Sequence, residues 1–466
     1  MDTEQEEKAD LRKKEIRPRR NIFYFAASML AAFLLTILIK GPDFTQSQDY
    51  VLFLLFFSIG LWITEAIPAF AVGLFIMAYL FFALGNAQIN PEPVDAGKYV
   101  QTFSSGVIWL LLGGFFLAEA MTKTGIDVHL FRLALKLSGK IPGNILLGIM
   151  LMTMTASMIL SNTATTSMVI ASVMPLIRKL GKNSFSKALL VGIPIAASVG
   201  GMGTIIGSPT NAIAVGALAN NGITVNFLTW MYFGIPLALI LTLAGWWLLK
   251  KIYISSNAPI EFELNAADEP AGKKAKNQRR IVVVILVVTA ALWMTSSIHR
   301  LTVSSIAALP LIFLTMTGVL KPEDIRRLPW DTLLLVAGAL SLGLALKDTR
   351  LLQHFTSRIP GSSSGSFISF MVLAYVTMLF SNIMSHTATA TMLIPFGIYL
   401  MPNHAEQIAV IISLASSTAL LLPVSTPPNA IVYSTRLIKQ REFLPGGLLI
   451  GLLGPLLIVL FVLMIL

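Results

Sequence analysis

Apolar runs long enough to cross a bilayer as helix, roughly twenty residues each, recur along this chain between short polar or basic segments. They predict helices at 21–39, 50–66, 69–85, 105–122, 188–220, 229–249, 281–297, 301–319, 330–346, 407–435 and 446–466. Two further apolar stretches, 145–175 and 366–399, carry small polar residues near their centres and read as hairpins that enter and leave on one face. The run at 188–220 is interrupted at Gly200–Pro209, and that at 407–435 at Pro423–Pro428, where glycine and proline stop continuous helix. The first run, Asn21–Ile39, is too long for a signal peptide and lacks a small-residue cleavage site, so it reads as a retained helix.

The polar residues inside these apolar runs repeat. Ser161-Asn162-Thr163-Ala164-Thr165 returns as Ser385-His386-Thr387-Ala388-Thr389, and Ser208-Pro209-Thr210-Asn211-Ala212-Ile213 returns as Thr426-Pro427-Pro428-Asn429-Ala430-Ile431. Irregular backbone at membrane depth is tolerated only where protein or a polar cavity satisfies the freed groups. Two hairpin tips and two helix breaks therefore point to one binding site built from two halves. A single Ser-Asn-Thr would read as helix packing; two copies, each followed by a Pro-Asn break, read as a site.

Composition narrows the class. Of 466 residues, 55% are hydrophobic and 12% charged, with no cysteine, and mean hydropathy is +0.77. That describes an all-α polytopic membrane protein without disulfides or thiolate chemistry. A net charge of +11 would suit nucleic acid, but the basic residues cluster in the pattern of cytoplasmic loops. Seven fall in the first 20 residues and seven more between Lys250 and Arg280. Placing these clusters inside requires five crossings and one hairpin in each half, and an odd number makes the two copies oppositely oriented. The expected organisation is a cytoplasmic basic tail (1–20), a first helix (21–49), repeat 1 (50–250), a cytoplasmic linker (251–280) and repeat 2 (281–466). The N-terminus would be cytoplasmic and the C-terminus outside, in a plasma or bacterial inner membrane, with the tail orienting the first helix and available to anionic lipid.

The Ser-Asn-Thr tip, Pro423 through Tyr433, and Trp62-Ile63-Thr64-Glu65-Ala66-Ile67-Pro68 are similar to motifs of the divalent anion/sodium symporter family. The resemblance implies eleven helices plus two re-entrant hairpins in an inverted repeat, a homodimer and an elevator-type motion. It implies C4 and C5 dicarboxylate substrates such as succinate, malate, fumarate and 2-oxoglutarate. Carried over by motif, Ser161, Asn162, Thr163, Ser385, His386, Thr387, Thr426 and Pro427 would hold substrate. Ser157, Ser161, Asn162 and Gly207 would hold a first sodium ion, and Ser381, Met384, position 386 and Ser425 a second. The family's usual Asn is His386 here. A carboxamide offers sodium an oxygen; imidazole offers at most a ring nitrogen. The second site is therefore expected to be weak, with His386 a substrate ligand of pH-sensitive charge and transport leaning to exchange or to proton coupling.

Three other charges read differently. Glu119 lies inside a predicted helix but outside both motif regions, which suggests a structural or interface role, and Asp331 and Lys347 mark membrane boundaries. A cation/proton antiporter would want acids in the hairpins or breaks, and those contain none. A small oxyanion remains compatible with hydroxyls and amides. An intramembrane hydrolase built on Ser161 or Ser385 lacks a base suitably placed beside either.

Overall fold

The structure, a computed structural model, describes residues 18–91, 93–181, 183–255, 258–260, 272–351 and 366–466. Tail residues 1–17, Glu92 of the predicted outside loop, and linker residues 256–257 and 261–271 lie outside them. Among the described residues the chain is helical throughout, without strands.

The first half comprises α1 (Pro18–Ile39), α2 (Gln46–Thr64), α3 (Ala69–Gly85), α4 (Gly106–Thr124), α5 (Ile126–Ser138), α6 (Pro142–Ser157), α7 (Asn162–Leu180), α8 (Ser184–Gly200), α9 (Pro209–Asn220) and α10 (Phe227–Tyr253). The second comprises α11 (Lys273–Met294), α12 (Val303–Met316), α13 (Trp330–Asp348), α14 (Phe367–Ile383), α15 (His386–Leu400), α16 (Ala405–Ser416), α17 (Pro427–Ser434) and α18 (Leu444–Ile465). Local chemistry sets several ends. Thr45 and Gln48 exchange side-chain-to-backbone bonds in a capping box before α2, and Gly125, at φ 71°, closes α4 before the amphipathic α5.

Among the described residues, eight helical segments are long and apolar enough to cross a membrane. Three expected crossings are shorter: α3, α12 and α16 have 17, 14 and 12 residues. The break after α16 also begins earlier than the prolines imply. The helix stops at Ser416, where Ser416 and Thr418 hydroxyls return to the Ser413 and Ala415 carbonyls at 2.7 Å each, an interaction that competes with helical bonding.

Packing comes in matched pairs. α3 lies along α13, and α4 along α12; α9 packs on α15, and α17 on α7; α8 contacts α6 and α7, as α16 contacts α14 and α15. The helix crossings rest on small residues. A Cβ built on Gly338 would lie 2.3 Å from Gly73 Cα, and one on Gly113 would lie 2.8 Å from Ala307 Cβ. Near-contact of backbones replaces the hydrophobic drive that lipid removes. α8 is almost wholly enclosed, whereas α1 and α11 are peripheral.

Two polar braces tie this frame. Lys123 at the end of α4 pairs with Asp324 in the one-turn helix before α13, and Lys98 pairs with Asp348 at the end of α13 at 2.5 Å. Burial alone would raise the Asp324 pKa, but the Lys123 ammonium, the Lys321 amide and the Arg327 charge hold its carboxyl below the usual range. A depressed folded-state pKa gives stability that is fully present above the unfolded value, roughly 3.9. It is lost as pH falls through the folded value. Asp324→Asn is therefore expected to cost about 1 kcal/mol at pH 7 and to flatten the acid limb of thermal unfolding in detergent. An unchanged Tm at pH 7 would remove this brace from the account.

Candidate functional site

The two hairpin turns are also helix starts. Ser161 caps α7, its hydroxyl accepting from Ala164 N–H at 3.2 Å, and Ser385 caps α15 by accepting from Ala388 N–H at 3.2 Å. Thr426 caps α17 in the same way, accepting from Asn429 N–H at 3.1 Å. Capping uses an oxygen lone pair and leaves each O–H as a donor. Helix N-termini add orphan amides and positive dipole ends.

The breaks are held by a second repeated device. The Asn211 amide donates to the Gly201 and Thr204 carbonyls at 2.8 and 2.7 Å, and Asn429 donates to the Leu420 and Leu422 carbonyls at 3.2 and 2.9 Å. Each Asn satisfies carbonyls that the interrupted helix leaves free. Ser413 Oγ also donates to Asn211 Oδ1 at 2.8 Å, which ties the break of one half to α16 of the other.

Tips and breaks meet at one cavity of about 550 Å³. Ser161, Asn162, Thr163, Gly207, Ser385, His386, Thr387, Thr426 and Pro427 all line it. Ser157, Ser381 and Ser425 lie buried behind the tips. The cavity also takes in Ser208 and Pro209 of the first repeated break, and residues outside the motifs: Ser198, then Glu119 and Thr122 from α4, and Arg327, Asp331 and Thr332 around the start of α13. Glu119, expected outside both motif regions in a structural or interface role, thus also faces the cavity. Asp331 does begin α13, yet it faces the same cavity. Lys347 is not a free boundary residue, since its ammonium donates to the Asn220 carbonyl.

The residues expected to hold the first sodium ion lie together. The Asn162 carboxamide faces Ser157 Oγ and the carbonyls of Ala197 and Gly207. With its nitrogen inward it donates to them at 2.6, 3.1 and 3.3 Å. With its oxygen inward, Asn162 joins a set of oxygens that a sodium ion would bridge. The glycines matter here, because a Cβ on Gly207 would lie 2.7 Å from Gly201 O and 3.1 Å from Ser157 O.

The second cluster does not present such a set. The Asn382 carbonyl oxygen accepts from Leu421 N–H at 3.0 Å and from the Ser425 hydroxyl at 2.9 Å. Ser425 Oγ in turn accepts from Leu422 N–H at 3.1 Å. His386 Nε2 lies 3.3 Å from Ala419 O, a contact that a protonated ring nitrogen makes as donor. Ser381 Oγ alone is buried without a hydrogen-bond partner. Asn382 was missed in the sequence because it is absent from the first copy, where Met158 follows Ser157.

Fold and site together define a multi-pass membrane transporter rather than an enzyme. More narrowly, the chain belongs to the citrate transporter family (CitMHS), which it matches over residues 59–415. Its relatives bear out the resemblance to divalent anion/sodium symporters. Sodium-dependent dicarboxylate transporters SdcS of Staphylococcus saprophyticus and Staphylococcus aureus strain USA300 are 29% identical over 475 residues and 28% over 469. Each alignment covers 92% of this chain and 88% of the relative. Among solved structures, the YdaH transporter of Alcanivorax borkumensis matches with a TM-score of 0.56 at 14% identity, over 86% of this chain and 98% of its own. MtrF of Neisseria gonorrhoeae matches at 0.53 and 13%, over 87% and 96%. At such identities these two likenesses concern the fold alone.

Proposed function

We propose that this protein is a secondary active transporter of C4 and C5 dicarboxylates, leaning to exchange with weakened sodium coupling. The observation that carries the reading is the convergence of three capping hydroxyls, Ser161, Ser385 and Thr426, on one cavity with their O–H groups unspent. A dicarboxylate has two acceptor ends, and two opposed tips supply a donor set for each. The sodium-dependent dicarboxylate transporters among its relatives support the substrate class. A cavity of about 550 Å³ has more room than a small inorganic oxyanion needs.

Residues in the two clusters divide the coupling. Around the first tip, Asn162, Ser157, Ala197 and Gly207 would hold sodium, which when bound would supply positive charge beside a substrate carboxylate. Turning the Asn162 carboxamide would exchange an inward N–H donor for an inward oxygen, so the tip is ordered differently in the two conditions. Around the second tip, Asn382 and His386 already satisfy their neighbours, so that half needs no ion. This supports one coupling ion at most, and exchange as the favoured mode.

Alternating access would come from an inverted repeat moving as an elevator. The paired helix contacts support two related halves, with the hairpins and broken helices carrying the site past a frame of α3, α4, α12 and α13. The basic-loop topology puts the cavity mouth, at the end of α4 and the start of α13, on the cytoplasmic face. A homodimer rests on the family resemblance. Single cysteines at Thr163 and Thr387, on the natural cysteine-free background, are expected to label oppositely when the protein is trapped facing in or out. Identical labelling in both traps would contradict the alternating repeat.

A further inference from the structure

Residues 98–125 and 323–350 align without a gap. Gly113 falls on Gly338, Lys123 on Asp348, and both segments end in left-handed residues, Gly125 at φ 71° and Arg350 at φ 53°. The braces follow the same correspondence. Asp324, which holds Lys123, aligns with Tyr99, whose hydroxyl lies 3.3 Å from Asp348 Oδ2. Sequence and contacts thus agree on a register between α4 and α13, with the charges exchanged.

That register predicts what the closed side of the molecule becomes when it opens. The charged and polar wall of the open cavity includes Glu119, Thr122, Arg327 and Asp331. Their counterparts are Leu344, Lys347, Thr102 and Gly106. Of these four only Lys347 is charged. On the side where α13 ends, the space between α9, α13 and α15 is only about 10 Å³. Lys347 joins α13 to α9 beside it, donating to the carbonyl of Asn220, the last residue of α9 and part of the gap's lining. A lysine at a helix C-terminus is favoured by the free carbonyls and the negative dipole end.

We propose that Lys347 is the anion-recruiting gate residue of the second vestibule. With that side closed, its ammonium is parked on Asn220. With that side open, α9 has moved away and the ammonium faces an approaching dicarboxylate. The two vestibules then differ in charge. The one now open has two carboxylates against Arg327, whereas its counterpart has Lys347 without an acid among the aligned positions. The first favours release of a dianion and the second favours capture, through the steering that a rim charge provides.

This rests on the alternating-access reading, and wild-type transport measured from both faces tests that reading separately. The test of Lys347 uses the full chain in proteoliposomes of defined orientation, with succinate supplied from either side. Lys347→Gln is expected to raise KM about fivefold from the side on which α4 begins, with little change from the other, and Lys347→Arg to restore it. Thr122→Lys, at the aligned position of the other vestibule, is expected to lower KM from that opposite side by a similar factor, and does not depend on how Lys347→Gln folds. Equal KM shifts from both faces, or no sided shift in either variant while the wild type transports, would overturn the assignment.

Discussion

Gly201→Ala is expected to reduce succinate uptake by more than about tenfold while leaving the protein folded. The position has ordinary helical backbone, φ −57°, so alanine introduces no dihedral strain. Its Cβ would instead lie 2.5 Å from Asn162 Oδ1, 2.9 Å from Asn162 Nδ2 and 3.0 Å from Gly207 O. Overpacking of that kind costs about 1–3 kcal/mol, and here it falls on the carboxamide that orders the first tip. Uptake kinetics with a thermal-shift control check the prediction. Wild-type uptake and sodium response in the variant would mean that the oxygen cluster takes no part in transport.

His386→Asn is expected to act in the other direction. The ring contact with Ala419 O is lost and a carboxamide oxygen appears where the first copy has one, at Asn162. Stimulation of uptake by sodium should rise by about tenfold, equivalent to 1.4 kcal/mol of added ion affinity. Asn382 limits how far the conversion goes, because its oxygen remains committed to Leu421 and Ser425. A double variant with Asn382→Met, copying Met158 of the first half, is the stronger form of the same test. If sodium dependence stays as in the wild type in both variants, His386 is a structural residue.

The tip and break residues that line the cavity were legible because they break the local rule of their surroundings. Hydroxyls and amides in apolar helices stand out, and their recurrence at Ser161 and Ser385 and at Asn211 and Asn429 marks a repeat. The cavity wall was not legible in the same way. Glu119 is a single acid within a helix and outside both motifs, Asp331 one at a helix start where an interfacial charge is ordinary, and only the approach of α4 to the start of α13 joins them to the tips. The repeat between 98–125 and 323–350 was hidden because its chemistry is inverted, Lys123 standing where Asp348 does. The register survives in one glycine pair, Gly113 and Gly338, and in the geometry of the braces. Helix ends were blurred for another reason: Ser416 stops α16 by back-bonding to its own carbonyls, a local competition that the prolines downstream obscured.

The measurement closest to the central claim is uptake of radiolabelled succinate into proteoliposomes, empty or preloaded with unlabelled dicarboxylate, with and without an inward sodium gradient. Uptake that requires internal dicarboxylate and responds weakly to sodium is the predicted result. Accumulation in empty vesicles driven steeply by sodium, as from two cooperating ions, would contradict the account of the second cluster, and absence of succinate transport under every condition would contradict the function itself.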